Sequence, residues 1–297
     1  QVFGCRAPIV AGGCASCVCL RGRAAKMWRL AAAAALAAIA RAVAAAPGVV
    51  VVSGATGRTG ALVYARLSAQ GAAARAIVRN ATKAREVLGC VACDASEGVY
   101  VADVTRPETL TAPMHGVAAL VIATSAVPIC DPYPACRYVD RGRPVDVDWH
   151  GARAQLAAFA EATASAGFGQ VVLISTMGTT EPEQLDDPLG HISFYKLNFE
   201  AELMASALPF TIVKPCGLVD AGLAQTQLVT GHDDDLDVSP PSVARADVAR
   251  VVVAALQHPD VAAGTRFDLC SRSGPATTDE ALVDTLRSAR QRWRPEI

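Results

Sequence analysis

The strongest constraint on the fold of this 297-residue chain is the run VVVVSGATGRTG at residues 49–60. Four valines predict a buried strand, and the glycines at positions 54, 57 and 60 let that strand turn abruptly into a helix. Gly54 permits the tight turn, Gly57 lets the backbone approach a pyrophosphate, and Gly60 lets the helix pack against the strand. Free N–H groups in the first helical turn would then bind the anion. The stretch therefore predicts a dinucleotide-binding loop.

Apolar strands and helices alternate along the rest of the chain. The predicted strands cover 49–53, 74–78, 99–102, 118–123, 171–175, 210–214 and 265–269. The predicted helices cover 58–70, 148–166, 194–207 and 246–257. This order favours a single three-layer α/β/α domain over 47–297, with a doubly wound parallel (Rossmann) sheet. Irregular loops at 125–147 and 216–245 each follow a strand, so we expect them at the ligand-binding carboxyl edge of the sheet.

The first 46 residues have a different composition from the rest. Arg29 follows Met27, an apolar stretch runs from Leu30 to Ala40, and the small residues Ala44 to Ala46 precede Pro47. This layout is typical of a signal peptide, so we expect residues 1–46 to lie outside the fold. Such a segment over 27–46 would direct the chain to the secretory route or to a plastid entered through a signal sequence. The alternative is an Ala-rich segment with no targeting role and a cytoplasmic protein.

Charge excludes several classes of partner. The chain has 27 basic and 28 acidic residues and a formal net charge of −1. Without a basic excess, neither a nucleic acid nor an anionic membrane surface is an expected partner. Arg41 interrupts the N-terminal apolar stretch, which is then too short for a membrane span. We expect a small-molecule substrate and a monomer or a homodimer.

Six cysteines follow the N-terminal segment, namely Cys90, Cys93, Cys130, Cys136, Cys216 and Cys270. The first four form two loose pairs in predicted loops, and neither pair has a histidine beside it. A structural zinc site needs four ligands, so we predict no metal. The pairs would form disulfides in an oxidising compartment and free thiols elsewhere. Cys216 either lines a substrate pocket or acts as a small buried apolar residue.

The glycine loop and five further stretches resemble the atypical short-chain dehydrogenase/reductases, in particular NmrA-like and related NAD(P)H-binding proteins. The further stretches are RAIVRN at 75–80, VADVT at 101–105, VVLISTMG at 171–178, FYKLNFEAELMASALPFTIVKPCGL at 194–218 and ARADVARVVVAAL at 244–256. The resemblance, over about 49–270, implies a Rossmann fold that binds NAD(P)H. It also implies cofactor contacts from Thr56, Arg58 and Thr59 in the loop, Asp103 and Val104 beside the adenine, Ala123 and Thr124 on the ribose side, and Lys196 and Pro215 at the nicotinamide end.

The residues after the second strand favour NADPH over NADH. An NAD site usually places a carboxylate there, which holds the ribose 2′-hydroxyl. Here the strand ends Val78-Arg79-Asn80, so Arg79 would face a 2′-phosphate, with Arg58 as a second contact. The alternative is that both arginines are solvated surface residues.

The catalytic pattern of this superfamily is broken in the present chain. Active members use Tyr-x-x-x-Lys with a Ser or Thr, which Ser175 supplies here. Lys196 matches the family lysine, but Ile192 stands where the tyrosine belongs. Tyr195 is adjacent to Lys196, and successive residues of a helix point about 100° apart.

Two functions therefore remain open. In the first, Lys196 anchors the cofactor, and Tyr195, Ser175 or His191 assists NADPH-dependent hydride transfer to a small organic, quinone-like or flavin-like acceptor. In the second, the chain binds NADPH without chemistry, as a redox sensor or assembly factor. The more ordinary expectation for His191 is a helix N-terminus with its ring in solvent. We likewise expect the acidic residues at 186–187 and 233–235 to be solvated.

Overall fold

The computed structural model describes residues 48–164, 169–182, 189–222 and 224–290. Within these ranges the strands are β1 (Val49–Ser53), β2 (Ala74–Val78), β3 (Val99–Val101), β4 (Val117–Ile122), β5 (Ile129–Cys130), β6 (Cys136–Arg137), β7 (Gln170–Ile174), β8 (Phe210–Pro215), β9 (Gly217–Val219), β10 (Gln227–Gly231), β11 (Ser242–Ala244) and β12 (Thr265–Arg272). The α-helices are α1 (Arg58–Ala69), α2 (Ala81–Leu88), α3 (Thr111–Met114), α4 (Ala152–Thr163), α5 (Ile192–Ala205), α6 (Arg245–Gln257), α7 (Pro259–Ala262) and α8 (Leu282–Ser288).

The predicted elements are confirmed, with two informative differences in length. The last predicted strand continues to Arg272, because its end pairs with β10, a partner that local sequence does not reveal. The predicted helix at 148–166 begins earlier, as the π-helix Val145–Gly151, and continues as α4. Its predicted end at 166 lies outside the described residues. Helices α2, α3, α7 and α8 are too short to produce a clear periodic pattern.

The central sheet has the order β3-β2-β1-β4-β7-β8-β12-β11-β9. The pairs from β3 to β12 are parallel, as the Rossmann prediction requires. Strand order reverses between β1 and β4. From β1 the chain continues to β2 and β3 on one side, and from β4 the sheet continues through β7, β8 and β12 on the other. Open α/β sheets bind ligands at the carboxyl ends of the strands beside such a reversal.

The strands are uninterrupted runs of apolar residues because side chains on both faces of the sheet are buried. Val50 and Val52 of β1 belong to one hydrophobic cluster, while Val51 belongs to a second cluster on the opposite face. Helices α1 and α6 pack over the first face, and α4 and α5 pack over the second. Because helices cover both faces, a polar side chain that is fully buried in a central strand needs a buried partner.

The segment 216–245 is more regular than predicted, since it contains β9, β10 and β11. The expectation that residues 233–235 are solvated is wrong for Asp234. Its carboxylate lies 2.6 Å from Nζ of Lys214, which is fully buried in β8. Lys214 also lies 3.1 Å from the buried Asp268 carboxylate on the neighbouring strand β12. A buried ammonium requires such partners, and this cluster ties the segment to the sheet.

Asp234 is also joined to the loop after β7. Its Oδ2 accepts a hydrogen bond from the Thr180 backbone N–H at 2.7 Å, and its own N–H donates to Asp268. Burial alone would raise the pKa of Asp234, but the hydrogen bonds from Lys214 and Thr180 prevail and lower it to about 2. Burial raises the pKa of Asp268, and Lys214 opposes that rise.

The segment 125–147 contains the hairpin β5–β6, closed by a disulfide between Cys130 and Cys136. Cys90 and Cys93 form a second disulfide in the loop after α2. Of the two outcomes predicted for these pairs, the structure has the oxidised one. No helix among the described residues is both long and apolar enough to cross a membrane.

The low pKa of Asp234 predicts a pH-dependent contribution to stability. A carboxyl whose pKa falls from 3.8 to about 2 on folding stabilises the protein fully above pH 3.8, and loses that contribution as pH falls through about 2. The free energy of unfolding of the wild type should therefore drop towards that of Asp234→Asn over this window. Urea unfolding at stepped pH measures the difference. The exposed neighbour variant Asp235→Asn should keep the wild-type profile, and an Asp234→Asn profile parallel to the wild type would contradict the assignment.

Candidate functional site

A cleft of about 690 Å³ lies along the carboxyl edge of the sheet. Its walls come from residues that follow β1, β2, β3, β4, β7 and β8 in turn. The predicted site residues that line it are Gly54, Thr56, Gly57, Arg58, Thr59, Arg79, Asp103, Val104, Ala123, Thr124, Ser175, Lys196 and Pro215. The fold thus brings together residues from 54 to 215 that are far apart in sequence.

Gly54 and Gly60 occupy positions where a side chain would collide with backbone. Gly54 has φ +68°, and a Cβ there would lie 2.7 Å from the carbonyl oxygen of Ala123, directly after β4. A Cβ on Gly60 would overlap the carbonyl oxygen of Gly54 itself. Gly60 is therefore buried under the loop and does not line the cleft, while Gly57 does. This is the arrangement in which a backbone loop and a helix N-terminus can approach a pyrophosphate.

Two cations lie where β2 meets α2. Arg79 is exposed at the end of β2, and Asn80 caps α2 by accepting a hydrogen bond from the Lys83 backbone N–H at 3.1 Å. The Lys83 side chain also lines the cleft, which sequence reasoning missed. In the described part of the chain no acidic side chain forms an ion pair with Arg79 or Lys83. The cap alone could have indicated Lys83, because it places residue 83 in the first helical turn.

Arg58 has a different environment from these two cations. Its guanidinium lies 3.3 Å from the Asp220 carboxylate, and both side chains are well exposed. Asp220 also lies 2.7 Å from Arg245, whose largely buried side chain lines the cleft. Arg58 and Arg245 therefore share one carboxylate that connects the glycine loop to the segment after β8.

Asp103 organises the loop after β3. Its Oδ1 accepts hydrogen bonds from the backbone N–H and the hydroxyl of Thr105, both at 2.9 Å. Its backbone N–H donates to the Thr109 hydroxyl at 3.1 Å. These bonds hold Asp103 and the neighbouring Val104 against the cleft.

Lys196 enters the cleft from α5 in an ion pair with Asp148. Its Nζ lies 2.8 Å from Oδ1 of Asp148, and both side chains are almost entirely buried. The second carboxylate oxygen of Asp148 accepts a hydrogen bond from the Ala126 backbone N–H at 2.9 Å. The pair orients Lys196, and through Asp148 it joins α5 to the loop after β4. Asp148 was not predicted from the sequence, where it is simply one of two acidic residues at the start of a helix.

Ser175 is held by a second buried carboxylate. Its hydroxyl donates to Glu200, which lies one helical turn after Lys196 and is fully buried. Glu200 also pairs with Arg266 of β12, at 2.8 Å from the arginine Nε. Glu200 and Arg266 were likewise not predicted, because their meeting depends on the packing of α5 against the sheet edge.

Lys196 and Tyr195 separate as their helical spacing predicts. Ile192 lines the cleft, whereas Tyr195 is not among the lining residues and packs edge-on against the Phe194 ring at 5.4 Å. His191 begins α5 with an exposed side chain, as expected. The predicted solvated residues 186–187 lie outside the described residues.

The end of the cleft beyond Lys196 is largely apolar. Its lining includes Val127, Met177, Leu189, Ile192 and Leu218. Cys216 lines the cleft and is 4% exposed, so it is buried as one of the two alternatives expected, while its place in a substrate pocket stays a prediction. It is not a free thiol, however, because it forms a disulfide with Cys270 of β12.

A group of potential metal ligands lies outside the cleft. Cys90, Cys93 and Glu97 bring their ligand atoms within 4.8 Å of one another. The two sulfur atoms are bonded to each other, and the Glu97 carboxylate accepts hydrogen bonds from the backbone N–H groups of Val91 and Cys93. These atoms are thereby committed to the loop rather than to an ion.

Comparison with known proteins agrees with this geometry. The family model described as NAD(P)H-binding matches residues 54–259, so the chain belongs to that family. It is 34% identical over 224 residues to an uncharacterized chloroplastic protein of Arabidopsis thaliana, an alignment that covers 71% of this chain and 66% of that protein. It is 29% identical over 265 residues to a sanguinarine reductase of Eschscholzia californica, with 79% and 92% covered.

A solved structure supports the fold. A metagenomic short-chain oxidoreductase in complex with NADP superposes with a TM-score of 0.52 at 19% identity, covering 72% of this chain and 92% of that one. Together with the family match, this places the chain among NAD(P)H-binding proteins with a Rossmann fold. The glycine crossing and the cations beside β2 are the features of this chain that fit such a cofactor.

A side chain at Gly54 should destabilise the fold by more than backbone strain alone, because it would also collide with Ala123. Gly54→Ala and Gly71→Ala both place alanine at a similar positive φ, +68° and +73°, but nothing lies within 4 Å of a Cβ on Gly71. We expect Gly71→Ala to cost about 1 kcal/mol of stability. Gly54→Ala should cost a further ~1–3 kcal/mol from overpacking and should abolish dinucleotide binding.

Urea unfolding and a fluorescence titration with NADPH measure both effects. Equal losses of stability in the two variants would show that the approach of Ala123 to Gly54 is unimportant.

Proposed function

We propose that this protein is an NADPH-dependent reductase that delivers hydride to a small organic acceptor of quinone-like or flavin-like character. The observation that carries the proposal is the buried Lys196–Asp148 ion pair at the far end of the cleft from Arg79 and Lys83. One end of a single cleft thus has two cations that pair with no acidic side chain of the described residues and suit a phosphate, and the other has an oriented ammonium beside an apolar chamber. The similarity to a sanguinarine reductase supports a reductase over other members of the oxidoreductase class.

The preference for NADPH rests on charge at the end of β2. NAD sites usually hold a carboxylate at the end of the second strand, and this chain has none there. Instead Arg79 follows Val78, and Lys83 lies one helical turn further on. Neither cation has an acidic partner among the described residues, so a 2′-phosphate would not have to displace one. Arg58 is the weaker candidate, because it must give up Asp220. A short-chain oxidoreductase of the same fold was solved with NADP, which is compatible with this choice.

The roles of the residues at the other end follow from their partners. NADPH supplies the hydride when it is bound. Lys196, oriented by Asp148, would hold a ribose hydroxyl through its remaining N–H groups. The Ser175 hydroxyl donates its one hydrogen bond to the Glu200 carboxylate. Its oxygen is therefore left to accept a hydrogen bond in the cleft. A role for Tyr195 stays a prediction. Because Tyr195 does not line the cleft, we expect it to act on the cofactor or acceptor only indirectly.

The identity of residue 192 restricts the type of acceptor. Ile192 cannot donate a proton, and the ammonium of Lys196 is engaged in an ion pair with Asp148. An acceptor that delocalises the added electron pair within its own π system needs little acid catalysis from the protein. Quinones, flavins and other electron-poor conjugated rings meet this requirement and suit the apolar walls.

A second function, an NADPH-binding sensor or assembly factor without turnover, is favoured by the same missing tyrosine. It predicts tight NADPH binding with no NADPH oxidation across a panel of quinones, flavins and enones. A rate that depends on Lys196 would exclude it.

A plastid location, one of the two destinations predicted from residues 27–46, is supported by the chloroplastic Arabidopsis relative.

Removing the charge at position 79 should affect NADPH and NADH differently. Arg79→Gln loses a charge-assisted hydrogen bond, worth about 1.5–3 kcal/mol, and should raise the Kd for NADPH by about tenfold or more. The Kd for NADH should stay within about twofold, since NADH has no 2′-phosphate. Fluorescence titration of both dinucleotides measures the ratio. The exposed Arg106→Gln, outside the cleft lining, is the matched control, and an equal loss for both dinucleotides would refute the role of Arg79.

The ion pair should be tested by removing both charges together. Lys196→Met alone would strand a buried carboxylate and destabilise the fold, whereas Lys196→Met/Asp148→Asn leaves no net buried charge. We expect this double variant to lose about 10²-fold in kcat with a quinone acceptor while it still binds NADPH, because the nicotinamide ribose loses its anchor. Arg153→Met/Glu202→Gln removes an exposed ion pair, also at 2.8 Å, between α4 and α5 and should retain activity. Wild-type turnover in the Lys196/Asp148 variant would overturn the proposed site.

A further inference from the structure

Three sulfur atoms meet at the floor of the cleft. Cys216, directly after β8, is bonded to Cys270 of the neighbouring strand β12. Sδ of Met177 lies 3.1 Å from Sγ of Cys216 and 3.5 Å from Sγ of Cys270. Cys216 and Met177 both line the cleft. The disulfide therefore lies directly beneath the apolar chamber beyond Lys196.

Access to this disulfide is restricted to one direction. Cys270 is 0% exposed and Cys216 is 4% exposed, and only Cys216 is a lining residue of the cleft. A reagent from solvent must therefore pass through the cleft and attack Sγ of Cys216. The other two disulfides differ, because Cys90 is half-buried on an outer loop and Cys130 is exposed on the hairpin, and neither lines the cleft.

We propose that the Cys216–Cys270 pair is a thiol–disulfide modification site that is reached only by small reagents through the cleft and is shielded when a dinucleotide is bound. This inference rests on dinucleotide binding and not on the proposed reductase activity. A protein dithiol is too large to insert its reactive thiol into a cleft of about 690 Å³. A small dithiol or a small electrophile fits that volume.

Reduction is a balanced two-electron exchange with a small dithiol. The reductant thiolate attacks Sγ of Cys216, a mixed disulfide forms, and Cys270 leaves as a thiolate that takes up a proton. The second thiol of the reductant then attacks the mixed disulfide, closes the reductant to a cyclic disulfide and releases Cys216 as a thiol. Two electrons and two protons pass from the dithiol to the protein.

The reduced state changes the acceptor end of the cleft. A free Cys216 thiol is a weak S–H donor in a chamber whose neighbouring residues Ile192 and Leu218 are apolar. Any group that becomes attached to this sulfur takes up volume in the same chamber. Modification of Cys216 is therefore expected to impair acceptor entry before it affects the phosphate-binding end.

The test uses the full chain in its oxidised form. The protein is incubated with dithiothreitol or with reduced thioredoxin, quenched with iodoacetamide, and each cysteine pair is quantified by peptide mass spectrometry. We expect dithiothreitol to reduce all three pairs, and thioredoxin to reduce Cys90–Cys93 but not Cys216–Cys270. With NADP⁺ at ten times its Kd, reduction of Cys216–Cys270 by dithiothreitol should slow about elevenfold, the inverse of the free fraction, while Cys90–Cys93 is unaffected.

A variant provides an independent measurement. Cys270→Ser leaves Cys216 as a free thiol, whose alkylation by iodoacetamide should show the same protection by NADP⁺. If this variant fails to fold, the wild-type measurement still decides the question. Reduction of Cys216–Cys270 by thioredoxin as fast as Cys90–Cys93, or no protection while fluorescence shows bound NADP⁺, would overturn the inference. Absence of NADP⁺ binding would instead count against the cofactor assignment, and the contrast between the two reductants would still test access.

Discussion

The close crossing of backbone at Gly54 and Gly60 is the constraint on which the rest of the site depends. With no side chain at either position, the end of β1, the start of α1 and the end of β4 meet at van der Waals distance. That contact leaves the first turn of α1 directed at the cleft, where its free N–H groups can bind an anion. It also brings Ala123 and Thr124 against the glycine loop, so this part of the cleft wall is fixed by backbone contacts.

Along the cleft, polarity changes in a way that matches a dinucleotide. Among the described residues, Arg79 and Lys83 beside β2 have no acidic partner, whereas the opposite end has buried charges that are paired with each other. Lys196 pairs with Asp148, and Glu200 pairs with Arg266 while it holds Ser175. Each of these pairs is costly to break because one charge would be left buried without a partner. The Lys196 ammonium and the Ser175 hydroxyl are therefore held in place beside the apolar chamber. This is the preorganisation that positioning of a cofactor and an acceptor requires.

The carboxyl-terminal half of the chain supports the floor of this chamber. Lys214 is buried beside Asp234 and Asp268, and it connects β8, β12 and the segment after β10. Cys216 lies two residues after Lys214, directly beyond the end of β8, and is bonded to Cys270, two residues beyond Asp268. An ionic and a covalent link thus join the same pair of strands beneath the end of the cleft where hydride transfer is proposed.

Local sequence was sufficient for the parts of this protein that depend on period and on glycine. Alternation of apolar strands with helices determined the parallel sheet, and the glycines at 54–60 determined where its ligand loop lies. The absence of a carboxylate after Val78 and the substitution of Ile192 for a tyrosine could also be read directly. Tertiary structure alone decided that Lys196 pairs with Asp148, that Ser175 pairs with Glu200, that Asp234 is drawn onto Lys214, and that Cys216 is bonded to Cys270. Each of these contacts joins residues from different elements, and a buried charge or thiol acquires its partner only when those elements pack.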